Sequence, residues 1–232
     1  MLYLILADSE LETVTPKIAS DKSVQWKARK RGRRATELIL DSNRYKATRN
    51  LSEPNRRGRP DIVHVCMLAA MDSPLNREGL LRFYVHTRHD RIIEAHPKAR
   101  IPRSYNRFIG MMEQLFLTGE VSQGESFLRL GKGTLDNLVK RIKPGSTITL
   151  SERGRELDRE GIFQDIGGGD VCVIVGGFPR GDFRSEVEAI SDRIVSIYPK
   201  PLEALTVVTH IIQFYEDELD VIKESFKVKE LP

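Results

Sequence analysis

The stretch "DVCVIVGGFPRGDF", residues 170–183, sets an unbroken apolar run against a glycine-rich loop. Val171 to Val175 leave no polar face, and a strand of that kind needs cover on both sides. Such strands belong to parallel sheets packed between helices. The flanking sequence agrees. "ESFLRLGKG" (125–133), "TITLSERG" (147–154) and "RIVSIYP" (193–199) read as further strands, and "TLDNLVKRIKPGS" (134–146) as a helix among them. A long helix from about Pro201 to Leu219 carries Leu205, Val208, Ile211, Ile212 and Tyr215 on one face. The expected fold class is α/β, a mostly parallel sheet flanked by helices.

The glycines also mark a place for a ligand. In an open α/β sheet, ligands bind beyond the carboxyl ends of the strands, where Gly176, Gly177 and Gly181 fall. A turn requiring positive φ accounts for the same glycines, and spacing does not choose between the two. In "IYPKPLEAL" (197–205), Pro199 and Pro201 flank Lys200. They either fix the backbone against a ligand or simply start the next helix. "GGGD" (167–170) precedes a strand and reads as a tight turn. "GKG" (131–133) lacks the spacing of a phosphate loop or a dinucleotide fingerprint.

Towards the N-terminus, "LYLILAD" (2–8) reads as a buried strand. Residues 9–34 are polar and basic with weak periodicity, and read as an extended connection leading to a helix around "RRATELILDS" (33–42). "RGRPDIVHVCMLAAMDSP" (57–74) places Pro60 in the first turn of a helix. "LLRFYVHTR" and "DRIIEAHP" form a hairpin, and Ser104 caps a helix that Gly119 stops. In that helix Phe108, Met111, Met112, Leu115 and Phe116 form a stripe for the core or a dimer interface.

The net charge of +4 conceals an uneven split. The first 107 residues carry 22 Lys/Arg against 12 Asp/Glu, and the remaining 125 carry 15 against 21. A polyanion-binding half joined to an acidic scaffold has this pattern. "KARKRGRR" (27–34) alone also fits a flexible basic arm. Cys66 and Cys172 lie in apolar runs and read as buried thiols. His64 and His210 read as core or interface residues. His86, His89 and His96 fit no metal-ligand spacing, so no metal is expected. No run approaches the length of a membrane span and no leader pattern is present, so a cytoplasmic location with no membrane partner is expected, nucleolar where the host has a nucleus.

Four motifs in order, "RRGRPDIVH", "IPRSYNRFIGMMEQLF", "VIVGGFPRGDF" and "SIYPKPLEALTVVTHIIQFYE", make the chain resemble the ribosome-biogenesis pseudouridine methyltransferases of the SPOUT, or α/β-knot, superfamily. The resemblance spans nearly the whole chain. It implies one SPOUT domain over residues 1–232, with a trefoil-knotted core at about 145–220 and a basic RNA-binding elaboration at about 20–107. It also implies a homodimer and S-adenosylmethionine as cofactor. Carried onto this sequence, the cofactor would meet Gly176, Gly181, Ile197, Tyr198, Pro199, Lys200, Pro201 and Leu202. Ribosomal RNA would meet Arg59, Arg100, Arg103 and Arg107.

Asp61 would hold Arg59 in place, and together they would act in catalysis; taken without the family, Asp61 reads as a charge matched to a helix N-terminus. The implied reaction is methylation of pseudouridine N(1) in a small-subunit RNA hairpin, with ribosome-assembly proteins as further partners. Two other classes compete: a non-catalytic assembly factor that binds ribosomal RNA, and a SPOUT methyltransferase acting on transfer RNA.

Overall fold

The computed structural model describes residues 1–124, 126–157, 159–163 and 169–229. Its elements run β1 (Leu2–Ser9), α1 (Lys22–Arg31), α2 (Pro60–Asp72), α3 (Pro74–Arg77), β2 (Leu81–Thr87), β3 (Arg91–Ala95), α4 (Tyr105–Thr118), β4 (Glu120–Gln123), β5 (Ser126–Lys132) and α5 (Leu135–Ile142). They continue as β6 (Ser146–Glu156), α6 (Arg159–Ile162), β7 (Val171–Gly176), α7 (Val187–Ile190), β8 (Arg193–Ser196), α8 (Ala204–Glu218) and α9 (Val221–Lys229). The strands form one eight-stranded sheet in the order β4-β5-β3-β2-β1-β7-β6-β8. From β2 through β8 the neighbours pair in parallel, while β3, β5 and β4 extend the sheet antiparallel.

The apolar run of β7 is explained by its position between β1 and β6. Successive side chains of a strand point to opposite faces. Val171, Val173 and Val175 enter one core with residues of α2, α4 and α8, and Cys172 and Ile174 enter a second with Leu135, Leu138 and Val139 of α5. β1 divides its side chains in the same way, Leu2, Leu4 and Leu6 against Ile5 and Ala7. Burying each such side chain contributes about 1.5–3 kcal/mol, so these two strands anchor both layers.

β6 meets β8 twice. Leu150 and Arg155 both pair with Val195, and the four residues between them bulge out of the β8 register while remaining within β6. Gly154 lies against the Val195 backbone at this crossing, where a Cβ would stand 2.5 Å from the Val195 nitrogen.

Two expectations are corrected. The segment read as extended contains α1, capped by Asp21, which accepts from the Ser23 and Val24 amides, and closed by Gly32 in the left-handed conformation. The helix expected around residues 33–42 reduces to one 3-10 turn, Ala35–Glu37. Leu38, Ile39 and Leu40 are buried and extended instead, the Val14 amide donating to the Leu38 carbonyl and the Leu40 amide to the Glu12 carbonyl. Three consecutive apolar side chains cannot share one helix face, and a small separate core around Val24, Ala28 and Tyr45 takes up Leu38 and Leu40. The turn expected at "GGGD" includes Gly167 and Gly168, which lie outside the described residues.

Candidate functional site

Beyond the carboxyl ends of β7, β6 and β8 the chain encloses a cavity of about 290 Å³. Three loops build it: Ser151–Arg153 after the regular part of β6, Gly176–Phe183 after β7, and Ile197–Leu202 between β8 and α8. Of the residues expected to meet a cofactor, Gly176, Gly181, Ile197, Tyr198, Lys200, Pro201 and Leu202 line this cavity, and Pro199 lies within the same loop but not on its wall. Leu150, Val175 and Val207 add apolar walls, and Glu152 and Asp182 add carboxylates. Gly181 has φ +87°, and a Cβ on Gly176 would strike the Phe178 ring at 2.8 Å, so both glycines are dictated by loop geometry.

The 176–183 loop is held from outside by residues the sequence reading did not single out. Arg56, only 8% exposed, donates through Nε to Glu10 (2.7 Å) and through Nη1 to the Asp182 carbonyl (2.6 Å), and stacks its guanidinium 4.1 Å from the Phe178 ring centroid. Glu10 is the hub. Its amide donates to the Gly177 carbonyl, and its carbonyl accepts from the Arg59 amide. Asp8 holds the far end of the loop by accepting from the Arg184 and Ser185 amides and the Ser185 hydroxyl. Burial opposes ionisation of Asp8, but hydrogen bonds from His86, Ser185 and Arg184 outweigh it and lower its pKa to about 2. One signal for this cluster is in the sequence: Asp8, Glu10 and Glu12 continue the two-residue period of β1 past its apolar part.

Arg59 and Asp61 form the expected pair at the start of α2, with Nε–Oδ1 at 2.9 Å and Nη2–Oδ2 at 2.8 Å. The pair is about one-third exposed, and the hydrogen bonds that Arg59 donates to Asp61 raise the Arg59 pKa. Two other groups act electrostatically on Arg59. Glu203 immediately follows the cavity residue Leu202, and Tyr105 opens α4. The pair is therefore within electrostatic reach of both the residue that follows the cavity loop and the start of the arginine-bearing helix.

Arg100, Arg103 and Arg107 are exposed, and none makes an ion pair among the described residues. His64 fixes their loop by donating from Nε2 to the Pro102 carbonyl (2.7 Å) while stacked 4.4 Å from Phe108. Arg103 is within electrostatic reach of Asp72, at the opposite end of α2 from Asp61. Ser104 occupies the N-cap position but its side chain caps nothing, which leaves first-turn amides available to an anion.

Much of the basic excess is internal. Arg57 binds Glu12 through two bonds, Arg88 binds Glu10 and Glu53, and Arg31 binds Glu113 of α4. These arginines serve the fold, because a buried carboxylate without its partner would be costly. His64 is buried as expected, whereas His210 lies exposed on α8. His86 is buried between Asp8 and Asp90, and His89 donates to Glu12. Among the described residues no group of three or more His, Cys, Asp or Glu side chains is placed to hold a metal, and no helix is long and apolar enough to cross a membrane. Cys66 and Cys172 are buried free thiols.

A family model described as EMG1/NEP1 methyltransferase matches residues 4–216. The ribosomal RNA small subunit methyltransferase Nep1 of Thermococcus kodakarensis is 45% identical over 222 residues, which cover 94% of this chain and 99% of that protein. The protein of the same name from Thermococcus onnurineus is 43% identical over 218 residues, 93% and 98% of the two chains. Among solved structures, Archaeoglobus fulgidus Nep1 bound to S-adenosylhomocysteine superposes with a TM-score of 0.82 at 30% identity, covering 93% of this chain and 97% of that one. The three-loop cavity and the Arg59–Asp61 pair thus sit on the SPOUT fold of those proteins, and the chain belongs to the EMG1/NEP1 methyltransferase family.

Proposed function

We propose that the chain is an S-adenosylmethionine-dependent methyltransferase that acts on N(1) of a pseudouridine in small-subunit ribosomal RNA. The observation carrying this reading is the Arg59–Asp61 pair, which interacts electrostatically with Glu203, next to the cavity loop, and with Tyr105 at the start of α4. The cavity suits the cofactor: apolar walls from Leu150, Val175, Ile197 and Val207 match an adenine ring, and the Glu152 and Asp182 carboxylates match sugar hydroxyls and an ammonium group. When bound, the cofactor supplies an electrophilic methyl group.

The chain's own residues then have two tasks. Arg100, Arg103, Arg107 and the uncapped amides of α4 hold phosphates, so that a base turned out of its loop reaches Arg59. Alignment of that kind can supply roughly 7–11 kcal/mol of the barrier. Arg59, its rotamer fixed by Asp61, faces the base and stabilises negative charge as the N(1) proton leaves to water. A homodimer is part of the proposal. It is supported by Val65 on α2 and Leu205 on α8, apolar side chains left exposed on two helices that pack together, with Leu202 exposed in the loop just before α8.

The reading is tested with tritiated S-adenosylmethionine and matched hairpins containing uridine or pseudouridine, with transfer RNA as a third substrate. Label confined to the pseudouridine hairpin is expected. Label in transfer RNA, or in no RNA despite tight binding, would replace it with one of the competing classes. Light scattering of the purified protein checks the dimer.

A further inference from the structure

The chain's single tryptophan, Trp26, is 61% exposed on α1. Its helix is an odd place for a large apolar ring. Only Val24 and Ala28 are buried, and Lys22, Lys27, Arg29, Lys30 and Arg31 crowd the same ten residues with no acidic residue among them. Lys30 Nζ lies 5.3 Å from the Trp26 ring centroid, a cation held beside the ring.

α1 is not a loose arm. Arg31 bonds Glu113 of α4, Arg33 Nη2 donates to Gln114 of α4 at 2.9 Å, and Gly32 closes the helix. Contacts and electrostatic interactions also lead from its neighbourhood to the Arg59–Asp61 pair. Arg44 stacks on Tyr105 (4.9 Å) and donates to Asn106, the residue before Arg107, and Tyr105 acts electrostatically on Arg59. On α1 itself the pKa of Lys27 is lowered, by burial and then by Arg31, Arg44 and Lys30. A polyanion that neutralises such clustered cations releases counterions, which is the source of its affinity.

We infer that α1 is a second RNA-binding surface, on which Trp26 stacks an unpaired base flanking the substrate hairpin while Lys27 and Lys30 neutralise its phosphates. Stacking on an aromatic ring tolerates any base, and the cations beside the ring meet the backbone of the stacked nucleotide, so the surface lengthens the contact without reading sequence. The inference rests on the RNA-substrate reading above, and concerns single-stranded flanks instead of the methylated loop.

Because Trp26 is the only tryptophan, its fluorescence reports this surface alone. The test titrates the full chain with a pseudouridine hairpin carrying unpaired flanking nucleotides and with the same hairpin lacking them. The flanked hairpin should quench the emission and bind roughly tenfold more tightly, and W26A should lose that gain while melting at the wild-type temperature. W26F should keep most of it. The double substitution K27A/K30A should reduce the slope of log affinity against log salt by about 1.4–1.8, two phosphates' worth. Tight binding of the flanked hairpin with unchanged emission, or W26A binding like the wild type, would overturn the inference. Failure of the wild type to bind either hairpin would instead overturn the RNA-substrate reading beneath it.

Discussion

Gly154 offers a sharp test of how the cavity is built. Alanine at this position would place its Cβ 2.5 Å from the Val195 nitrogen and 2.6 Å from the Val195 Cα and carbonyl carbon. All three are backbone atoms, so no rotamer change relieves the clash. The two segments must part by about 1 Å to reach ordinary contact, an overpacking that costs roughly 1–3 kcal/mol. The entropy lost from the unfolded chain returns about 0.4–1 kcal/mol. Taking the middle of both ranges, a net loss of about 1.3 kcal/mol is expected, because pairing of both Leu150 and Arg155 with Val195 keeps β6 from swinging away from β8.

For a chain of this size that lowers Tm by about 3–5 °C. The displaced segment carries Ser151, Glu152 and Arg153, one wall of the cavity, so affinity for S-adenosylhomocysteine should fall in the same variant. Gly131→Ala is the matched control. That residue also sits in a strand, but a Cβ there meets nothing within 4 Å. Thermal melting and isothermal titration of both variants read the difference. A Gly154→Ala protein melting within about 2 °C of the control would refute the close crossing and the argument built on it.

Three more outcomes follow from the same geometry. Arg56→Lys keeps the charge facing Glu10 but loses the stack on Phe178 and the fork reaching Asp182, so S-adenosylhomocysteine affinity should drop about tenfold with RNA affinity unchanged, as measured by separate titrations. Asp8 titrates at about 2 when folded against 3.8 when unfolded, so its contribution of about 2 kcal/mol is present above pH 4 and lost as pH falls through 2. Urea unfolding of Asp8→Asn between pH 5 and 2.5 should therefore show a flatter stability profile than the wild type. Burial raises the Cys66 and Cys172 thiols to about 12, so iodoacetamide at pH 8 should leave both unmodified until denaturant is added, as mass spectrometry would show.

Local pattern sufficed wherever one residue's environment follows from its neighbours in sequence. β7 and β1 were readable because an unbroken apolar run admits only a strand covered on both faces, and α2 and α4 because their apolar residues recur at helical spacing. α1 was missed although Asp21 and Gly32 bracket it, since only two of its ten residues are buried and no apolar stripe announces it. The "LIL" at 38–40 was misread as helical because its partners, Glu12, Val14 and Glu113, are supplied by other segments.

Local pattern alone was enough for the α/β class, the glycine loop beyond β7, the arginine cluster around the start of α4 and, through four motifs, the family. Only the tertiary structure decided which arginines are free to meet a partner. Arg56 and Arg59 stand three residues apart in one basic motif, yet the first is buried against a carbonyl 126 positions away and the second is paired with Asp61 beside the cavity. The physical reason is that a charge pattern records what must be neutralised but not by what. Buried carboxylates at Glu10 and Glu12 take Arg56, Arg57 and Arg88, and that choice is made by the packing of β1 against segments far along the chain.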